Sequence, residues 1–285
     1  MNLANVIFGA RHRKEATELE DVADSYLASL LHAGQICGEY FLTWTRGRLN
    51  AHVLLAGPGA SEPRHHSKYG KQELRKVSDA FGRKPAWTLL DDNAPKRSSS
   101  WRSTPFLYLF THAFDWASPV CRGDGKPPIP VFMLPMSFEH KQSLYFWQRS
   151  YYHHDHVWLC SGAVEIGAYR QMADPNSDLA EHGRELCREI ETATGLPTFY
   201  YLTRYWGRPK GEDKRRCPGC GAEWQTDTQP EVSGRFWHFD FKCDRCRLVS
   251  HFGVSTDGGR HVRIGEFTAR TKSSASVGDL PENRG

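Results

Sequence analysis

Two short cysteine pairs, Cys217-Pro-Gly-Cys220 and Cys243-Asp-Arg-Cys246, decide how the C-terminal part of the chain is expected to fold. Each pair has the C-x-x-C spacing, in which the two intervening residues turn the backbone so that both sulfurs face one point about 2.3 Å away. Two such pairs complete a tetrahedron of thiolates around Zn²⁺ and leave no open coordination position. The sequence therefore predicts one structural zinc ion, bound by Cys217, Cys220, Cys243 and Cys246 in a zinc ribbon.

The residues around the cysteines also favour a ribbon. Gly221 allows a tight turn after the first pair, whereas Arg247 stands at the equivalent position after the second pair. Aromatic residues at 236–241 predict a strand, and residues 248–252 predict its partner. A module of this size cannot bury a core of its own, so the metal is expected to supply about 10 kcal/mol of folding energy. A redox dithiol pair and an iron–sulfur site are alternatives that this spacing disfavours.

The composition of the whole chain is typical of a packed protein. Of its 285 residues, 39% are hydrophobic and 25% are charged. No apolar run reaches the roughly 18 residues that cross a bilayer, and the N-terminus lacks the order of a signal peptide. We therefore expect a cytoplasmic protein with no membrane partner. In a reducing compartment, the four remaining cysteines fit buried apolar positions better than disulfides: Cys37, Cys121, Cys160 and Cys187.

The fold class predicted from the pattern is α+β, with a ferredoxin-like N-terminal unit at residues 1–92. A strand at 3–8, a helix at 15–33, a hairpin around Arg46-Gly47, a helix at 71–81 and a strand at 86–90 give the order β-α-β-β-α-β. This order is the split pattern of that unit. Residues 93–103 are polar and rich in turn formers, which predicts a linker.

A second α/β unit is predicted at residues 104–210, followed by the ribbon at 211–266 and a disordered tail at 267–285. Strands are expected at 106–110, 130–134, 156–160 and 199–205, and helices at 137–151, after Gly162 and before Gly195. How the two α/β units pack cannot be read from the pattern.

Positive charge is concentrated locally. Residues 63–102 carry ten Lys or Arg against four acidic residues, and residues 204–216 carry six against two. Such local excess attracts phosphates, and aromatic rings offer surfaces on which bases stack. The candidate residues for binding nucleic acid or another partner are Arg215, Arg216, Trp224, Arg235, Trp237, Lys242, Arg245 and Arg247 on the ribbon, and Lys71, Arg75 and Lys76 on the helix at 71–81.

A second candidate metal centre lies in the run Tyr151-Tyr152-His153-His154-Asp155-His156. His154 and His156 would share a face of the predicted strand, and Asp155 could orient an imidazole. No H-E-x-x-H, P-loop, G-x-S-x-G or zinc-deaminase pattern accompanies this run. The sequence therefore favours a non-enzyme, and it shows no evident small-molecule substrate.

Part of the sequence resembles a known bacterial family. The resemblance rests on Leu-Cys-Ser-Gly (159–162), Arg-Glu-Leu-Cys-Arg-Glu-Ile (184–190), Thr-Gly-Leu-Pro-Thr-Phe-Tyr-Tyr-Leu (194–202), the first cysteine pair and Phe-Asp-Phe-Lys-Cys-Asp-Arg-Cys-Arg-Leu-Val-Ser (239–250). These segments are similar to the family known as domain of unknown function 2310. That family is described as zinc-ribbon-containing, with nucleic-acid binding suggested. The resemblance covers about residues 105–255, and it implies a bacterial protein with a ribbon.

Three functions follow from these observations. The favoured one is a non-enzymatic zinc-ribbon protein that acts by macromolecular binding, with nucleic acid as the preferred partner. The alternative is a protein-binding adaptor or inhibitor, such as an immunity protein for a bacterial toxin. A weaker alternative is a metalloenzyme that uses the cluster His153–His156.

Overall fold

The structure is a computed structural model that describes residues 1–11, 14–91, 100–160, 162–226, 239–257 and 259–268. The chain folds into a mixed α+β protein with two β-sheets and the helices packed on them. Arg235, Trp237, most of the predicted linker and residues 269–285 of the predicted tail lie outside the described residues. In the described part of the chain, no helix is both long enough and apolar enough to span a membrane.

The N-terminal unit contains six main elements in the predicted order. They are β1 (Asn2–Ala10), α1 (Ala16–His32), β2 (Ile36–Thr45), β3 (Arg48–Leu55), α2 (Lys68–Phe81) and β4 (Ala86–Leu89). The sheet has the strand order β2-β3-β1-β4, and every neighbouring pair is antiparallel. Alternate residues of β1 and β3 are buried in one core with α1 and α2, so both helices cover the same face of the sheet.

Local sequence signals explain where these elements begin and end. Arg46 and Gly47 join β2 to β3 with φ of +50° and +72°, which is the left-handed pair of a two-residue hairpin turn. The Ser67 hydroxyl accepts a hydrogen bond from the Gly70 amide (3.1 Å) and so caps the N-terminus of α2. Gly82, with φ of +65°, ends this helix.

A buried histidine, His66, ties the segment before α2 to the core of the N-terminal unit. The Gln35 side-chain amide donates to the Ala60 carbonyl and to Nδ1 of His66 (3.1 Å), so Nε2 of His66 carries the ring proton. Nε2 then donates to the Tyr26 hydroxyl (3.0 Å). Burial lowers the pKa of His66 to about 4, with a smaller contribution from Lys71. The ring is therefore neutral in the folded protein at neutral pH.

The second sheet has five strands and includes residues from the segment predicted as a ribbon (211–266). Its elements are β5 (Leu107–Leu109), β6 (Val120–Arg122), α3 (Phe138–Cys160), α4 (Glu165–Ala173), α5 (Asp178–Thr194), β7 (Thr198–Tyr201), β8 (Phe241–Cys243) and β9 (Leu248–Ser250). The strand order is β6-β5-β7-β9-β8. The three central strands are parallel, and each outer strand is antiparallel to its neighbour.

Two predicted strands of this unit are wrong. Residues 156–160 form the end of α3, because its buried residues Leu144, Trp147, Tyr151 and Asp155 are spaced by three or four positions and extend the helix beyond Tyr151. Residues 130–134 contain a short 3₁₀ turn at Val131–Met133 instead of a strand.

The core of the second unit includes residues of the segment predicted as a ribbon. Trp147, Tyr200 and the buried face of α5 share one cluster with Trp224 and Phe241. Gly183 makes this packing possible, since a Cβ at that position would lie 2.2 Å from the Tyr200 ring. The described part of the ribbon therefore has its hydrophobic residues in the core of the larger unit.

The two α/β units contact each other through the end of α1 and the start of β2. A Cβ at Gly34, whose φ is +71°, would lie 2.4 Å from Cβ of Val131, so the two segments of the chain approach closely at this glycine. The Arg149 guanidinium of α3 lies 3.7 Å from the Glu39 carboxylate of β2.

Candidate metal centre

The four predicted cysteines converge on one point. Their Sγ atoms all lie within 4.8 Å of one another, and Sγ of Cys220 is 3.8 Å from Sγ of Cys243. A tetrahedron with metal–sulfur bonds of about 2.3 Å has edges of about 3.8 Å, so the spacing fits such a site. Within the described ranges, this is the only group of three or more Cys, His, Asp or Glu side chains placed to bind a metal ion.

The first cysteine pair is shaped by two glycines. A Cβ at Gly219 would lie 2.9 Å from Sγ of Cys246, so only a residue without a side chain fits between the sulfurs. Gly221 has φ of +72°, and its amide donates to the Cys217 carbonyl (2.8 Å). The Cys217 amide in turn donates to the Ala222 carbonyl (2.9 Å). This loop is closed by its own backbone hydrogen bonds.

The second pair reaches the same backbone geometry without a glycine. Arg247, one residue after Cys246, has φ of +54°, a left-handed conformation that costs a non-glycine residue about 1 kcal/mol. Its guanidinium donates to both carboxylate oxygens of Glu191 on α5, at 3.1 and 2.7 Å. The same carboxylate accepts from the Thr198 amide (3.1 Å). The ion pair thus holds the strained turn against the body of the protein.

Sequence analysis missed Glu191 as a residue that positions the metal centre. The available signal was the arginine at the position where the first pair has Gly221. A non-glycine residue in a tight turn needs compensation from another element. Burial raises the pKa of Glu191, but the hydrogen bonds from Arg247 and Thr198 outweigh this effect and lower the pKa overall.

The second pair is also part of the sheet. The Cys243–Cys246 turn joins β8 to β9, and β9 pairs with β7 in parallel. The Tyr200 amide donates to the Arg247 carbonyl (2.8 Å), and the Leu202 amide donates to the Val249 carbonyl (2.9 Å). The turn that carries two of the four sulfurs is therefore hydrogen-bonded to a strand that provides no ligand.

Burial opposes ionisation at two of the thiols. It raises the pKa of Cys217, and it raises the pKa of Cys246 to about 12. At Cys220, the Ala222 amide donates to sulfur and lowers the pKa. A bound divalent cation stabilises thiolates, which are the form that ligates a metal. The donor set therefore fits a metal ion that is bound as the thiols lose their protons.

Arg215 and Trp224, predicted to bind a partner, are buried. Each is only 3% exposed. The Arg215 guanidinium lies over the rings of Trp224 (5.0 Å) and Phe241 (4.5 Å) and donates to the Ser250 hydroxyl (3.1 Å). Burial lowers the pKa of Arg215 to about 10. The indole of Trp224 donates to the Arg215 carbonyl (2.8 Å). The prediction of a surface role is corrected for both residues, because they pack against Phe241 of β8 and Ser250 of β9 in the interior.

Several other predicted binding residues have acidic partners. Arg216 lies 3.0 Å from Glu223, and Lys242 lies 3.1 Å from Asp244. On α2, Lys76 is 2.8 Å from Glu73. These ion pairs, with that of Arg247, reduce the charge that is available to phosphates.

Three of the predicted cations within the described residues have no acidic partner. Arg245 at the second cysteine pair and Lys71 and Arg75 on α2 are exposed. No carboxylate of the described residues lies within ion-pair distance of any of them. They are the candidate phosphate-binding residues that the structure leaves on the surface.

The predicted histidine cluster does not form a metal centre among the described residues. His153, His154 and His156 lie on α3, where consecutive side chains point in different directions. Asp155 is buried and accepts a hydrogen bond from the Ala113 amide (2.6 Å), so it anchors the loop after β5. Burial raises the pKa of this carboxyl. A shared strand face for His154 and His156, which the sequence left open, is excluded because both residues lie in a helix.

Family comparisons divide the chain into three segments. Three family models match it: "Domain of unknown function (DUF2310)" at residues 102–203, "Domain of unknown function (DUF8594)" at 207–256 and "Domain of unknown function (DUF8589)" at 1–91. An uncharacterized protein of Haemophilus influenzae (strain ATCC 51907 / DSM 11121 / KW20 / Rd) is 35% identical over 163 residues, which cover 75% of that protein. The chain belongs to the DUF2310 family.

A second uncharacterized Haemophilus influenzae protein is 36% identical to this DUF2310 member over 163 residues. The match covers 56% of the chain and 59% of that relative, so the chain spans about three fifths of its length. No solved structure matches the DUF2310 member significantly.

Proposed function

We propose that this DUF2310 member is a non-enzymatic zinc protein that acts by macromolecular binding, with nucleic acid as the preferred partner. Its four cysteines would hold one structural zinc ion in a zinc ribbon, and its N-terminal unit would belong to the ferredoxin-like class. The strand order β2-β3-β1-β4 with antiparallel neighbours supports this class. The observation that carries the functional proposal is the set of four converging thiols built into the second sheet.

Zinc is favoured by the donor set. Four sulfurs in a tetrahedral arrangement suit Zn²⁺ or an iron–sulfur centre, and no residue other than cysteine contributes to the group. Four protein ligands leave no position for a substrate or a water molecule, which supports a structural metal. The same closure gives the centre no means of polarising a carbonyl or activating water.

Elemental analysis of the purified protein tests the metal assignment. We expect one zinc per chain, and we expect its loss in Cys220→Ser. Cys160→Ser is the matched control, because Cys160 is an exposed thiol outside the cluster. Iron in place of zinc, or equal zinc in Cys220→Ser, would contradict the assignment. A second metal per chain would favour the metalloenzyme alternative.

Nucleic acid is favoured by the exposed cations Lys71, Arg75 and Arg245. Each phosphate contact releases counterions, so the affinity falls as salt rises, with a slope of about −0.7 to −0.9 per contact. We expect Lys71→Gln with Arg75→Gln to reduce this slope by about 1 to 2. Lys14→Gln is the control, because Lys14 already lies 3.6 Å from Glu18.

Absence of detectable binding at low salt would refute nucleic-acid binding, since attraction to phosphates is strongest there. In that case, a protein that co-purifies at high salt after nuclease treatment would favour the adaptor or inhibitor alternative.

A further inference from the structure

One face of the N-terminal sheet is covered by no helix of the part of the chain that the structure describes. α1 and α2 cover the face that carries Ala4, Val6 and Phe8, and the opposite face carries Leu3, Asn5 and Ile7. β1 and β3 lie at the centre of the sheet, so this second face is a continuous four-stranded surface. We call it the open sheet face.

The open sheet face has an aromatic row. Phe41 of β2 lies opposite His52 of β3, and His52 lies opposite Asn5 of β1. Phe41 is 70% exposed, and His52 is also exposed. Directly opposed side chains on one sheet face have Cβ atoms about 5 Å apart, so the two rings are neighbours. An exposed phenylalanine beside an exposed imidazole offers two flat surfaces to a ligand.

A basic end adjoins the aromatic row. Arg46, Arg48 and His52 line a concavity of about 480 Å³ on the open sheet face, together with the amides Asn5 and Asn50 and with Ile7 and Thr45. The Asn50 side chain donates to the Arg48 carbonyl (2.8 Å), which fixes one amide at the floor of the concavity. Arg48 precedes His52 by four residues on β3, which places it about 13 Å from the aromatic row, and Arg46 lies beyond it in the turn.

The charge of the sheet is one-sided. Among all residues of β1, β2, β3 and β4, only Glu39 is acidic, and its carboxylate lies 3.7 Å from the Arg149 guanidinium. No acidic side chain on these strands therefore opposes Arg46 or Arg48. A polyanion with flat groups is complementary to this surface, whereas an acidic peptide would leave the rings without a matching partner.

We propose that the open sheet face binds single-stranded nucleic acid, with Phe41 and His52 stacking on bases and Arg46 and Arg48 contacting phosphates. Four-stranded sheets with exposed rings accommodate about two or three unstacked bases in this manner. In a duplex, the bases are paired and stacked inside, so the rings could not reach their faces. This inference rests on nucleic acid being the partner in the proposed function. It specifies which surface binds the nucleic acid and that the nucleic acid is single-stranded.

The turn that carries Arg46 allows a variant that removes a positive charge without destabilising the fold. The hairpin needs φ above zero at this position, which asparagine adopts more readily than arginine. Arg46→Asn should therefore fold at least as well as the wild type while it removes one cation. A loss of affinity in this variant cannot be attributed to unfolding.

The test is fluorescence anisotropy with the full chain and labelled oligouridine or oligodeoxythymidine of about 12 nucleotides, at about 50 mM salt. Phe41→Ala should weaken binding at least fivefold, and Arg46→Asn should reduce the salt slope by about 0.7. Phe114→Ala is the matched control, because Phe114 is 75% exposed and lies in the loop after β5. A blunt duplex of similar length should bind more weakly than either single strand.

Each outcome separates the inference from the proposed function. If the wild type binds neither single strand nor duplex, both fail. If it binds but Phe41→Ala and Arg46→Asn match Phe114→Ala, the open sheet face is not the site, although nucleic-acid binding stands. Preference for the duplex also overturns the inference. Comparison of the RNA and DNA probes shows which single strand is the ligand.

Discussion

If the four cysteines bind a metal ion as proposed, its removal should release hydrogen bonds on β7, a strand that provides no ligand. The Tyr200 and Leu202 amides donate to carbonyls of Arg247 and Val249, beyond the second cysteine pair. Each of these two bonds contributes about 1 kcal/mol. The side chains of Leu248 and Val249 are fully buried, which contributes about 2 kcal/mol each. Detachment of β9 would therefore cost about 6 kcal/mol, and a metal ion bound by Cys243 and Cys246 would hold the turn that precedes this strand.

Amide hydrogen exchange measured by NMR on the metal-loaded and chelated protein tests this coupling. A difference of about 6 kcal/mol corresponds to about four orders of magnitude in protection, so Tyr200 and Leu202 should lose up to that much on chelation. Amides of β1 serve as the internal control, because they lie in the other sheet. If Tyr200 and Leu202 keep their protection after the metal is removed, β9 does not depend on the metal and the reasoning is wrong.

Three further predictions concern stability. Burial holds the pKa of His66 at about 4 in the folded protein, whereas a histidine of the unfolded chain has a pKa of about 6.5. The unfolded state therefore gains a proton first as the pH falls, and the free energy of unfolding of the wild type should decrease by about 2 kcal/mol between about pH 7 and about pH 5. His66→Gln should not show this decrease in urea unfolding. Glu191→Gln should lower the free energy of unfolding by about 1 kcal/mol, a modest amount because its ion pair with Arg247 is partly exposed. Arg247→Gly removes the same ion pair but also relieves the strained turn, so its free energy of unfolding should decrease less. Gly183→Ala should cost about 3 kcal/mol in thermal unfolding, since its Cβ would overlap the Tyr200 ring.

Control variants distinguish these effects from those of other residues. His182→Gln removes an exposed histidine of α5 and should keep the pH dependence of the wild type; if His66→Gln does the same, another group is responsible. Gly167→Ala in α4 meets no atom within 4 Å and should be neutral or stabilising, so an equal effect at Gly183 would contradict the packing argument. Unchanged stability in Glu191→Gln would mean that the turn after Cys246 does not need the ion pair between Arg247 and Glu191.

The metal centre could be predicted because its signal is local. Two residues between cysteines fix the direction of both sulfurs, whatever the rest of the chain does. The order of elements in the N-terminal unit could also be predicted from the sequence, because the Arg46-Gly47 turn and the glycines that end its helices lie next to the elements they delimit. Local signals of this kind give the order of elements.

Burial and long-range pairing were not accessible from the pattern. Arg215 lies in a basic run, yet its environment comes from Ser250 and Phe241, which are distant in sequence. The parallel pairing of β7 with β9 joins Tyr200 to Leu248 and has no signature in either strand. The helix α3 continues to Cys160, and Asp155 within it accepts a hydrogen bond from the Ala113 amide, a contact that links two remote segments.

The strand order of the second sheet also affects how the chain matures on the ribosome. β9 lies between β7 and β8 in space, but both are synthesised about 40 residues after β7, which takes about 2 to 8 seconds. Until β9 is added, one edge of β7 has no partner strand, and this strand carries Phe199 and Tyr200, which are buried in the finished protein. If the cysteines bind zinc as proposed, a shortage of the metal when Cys243 and Cys246 emerge would prolong this exposure. Zinc supply in the growth medium should therefore change the yield of soluble protein as well as its stability.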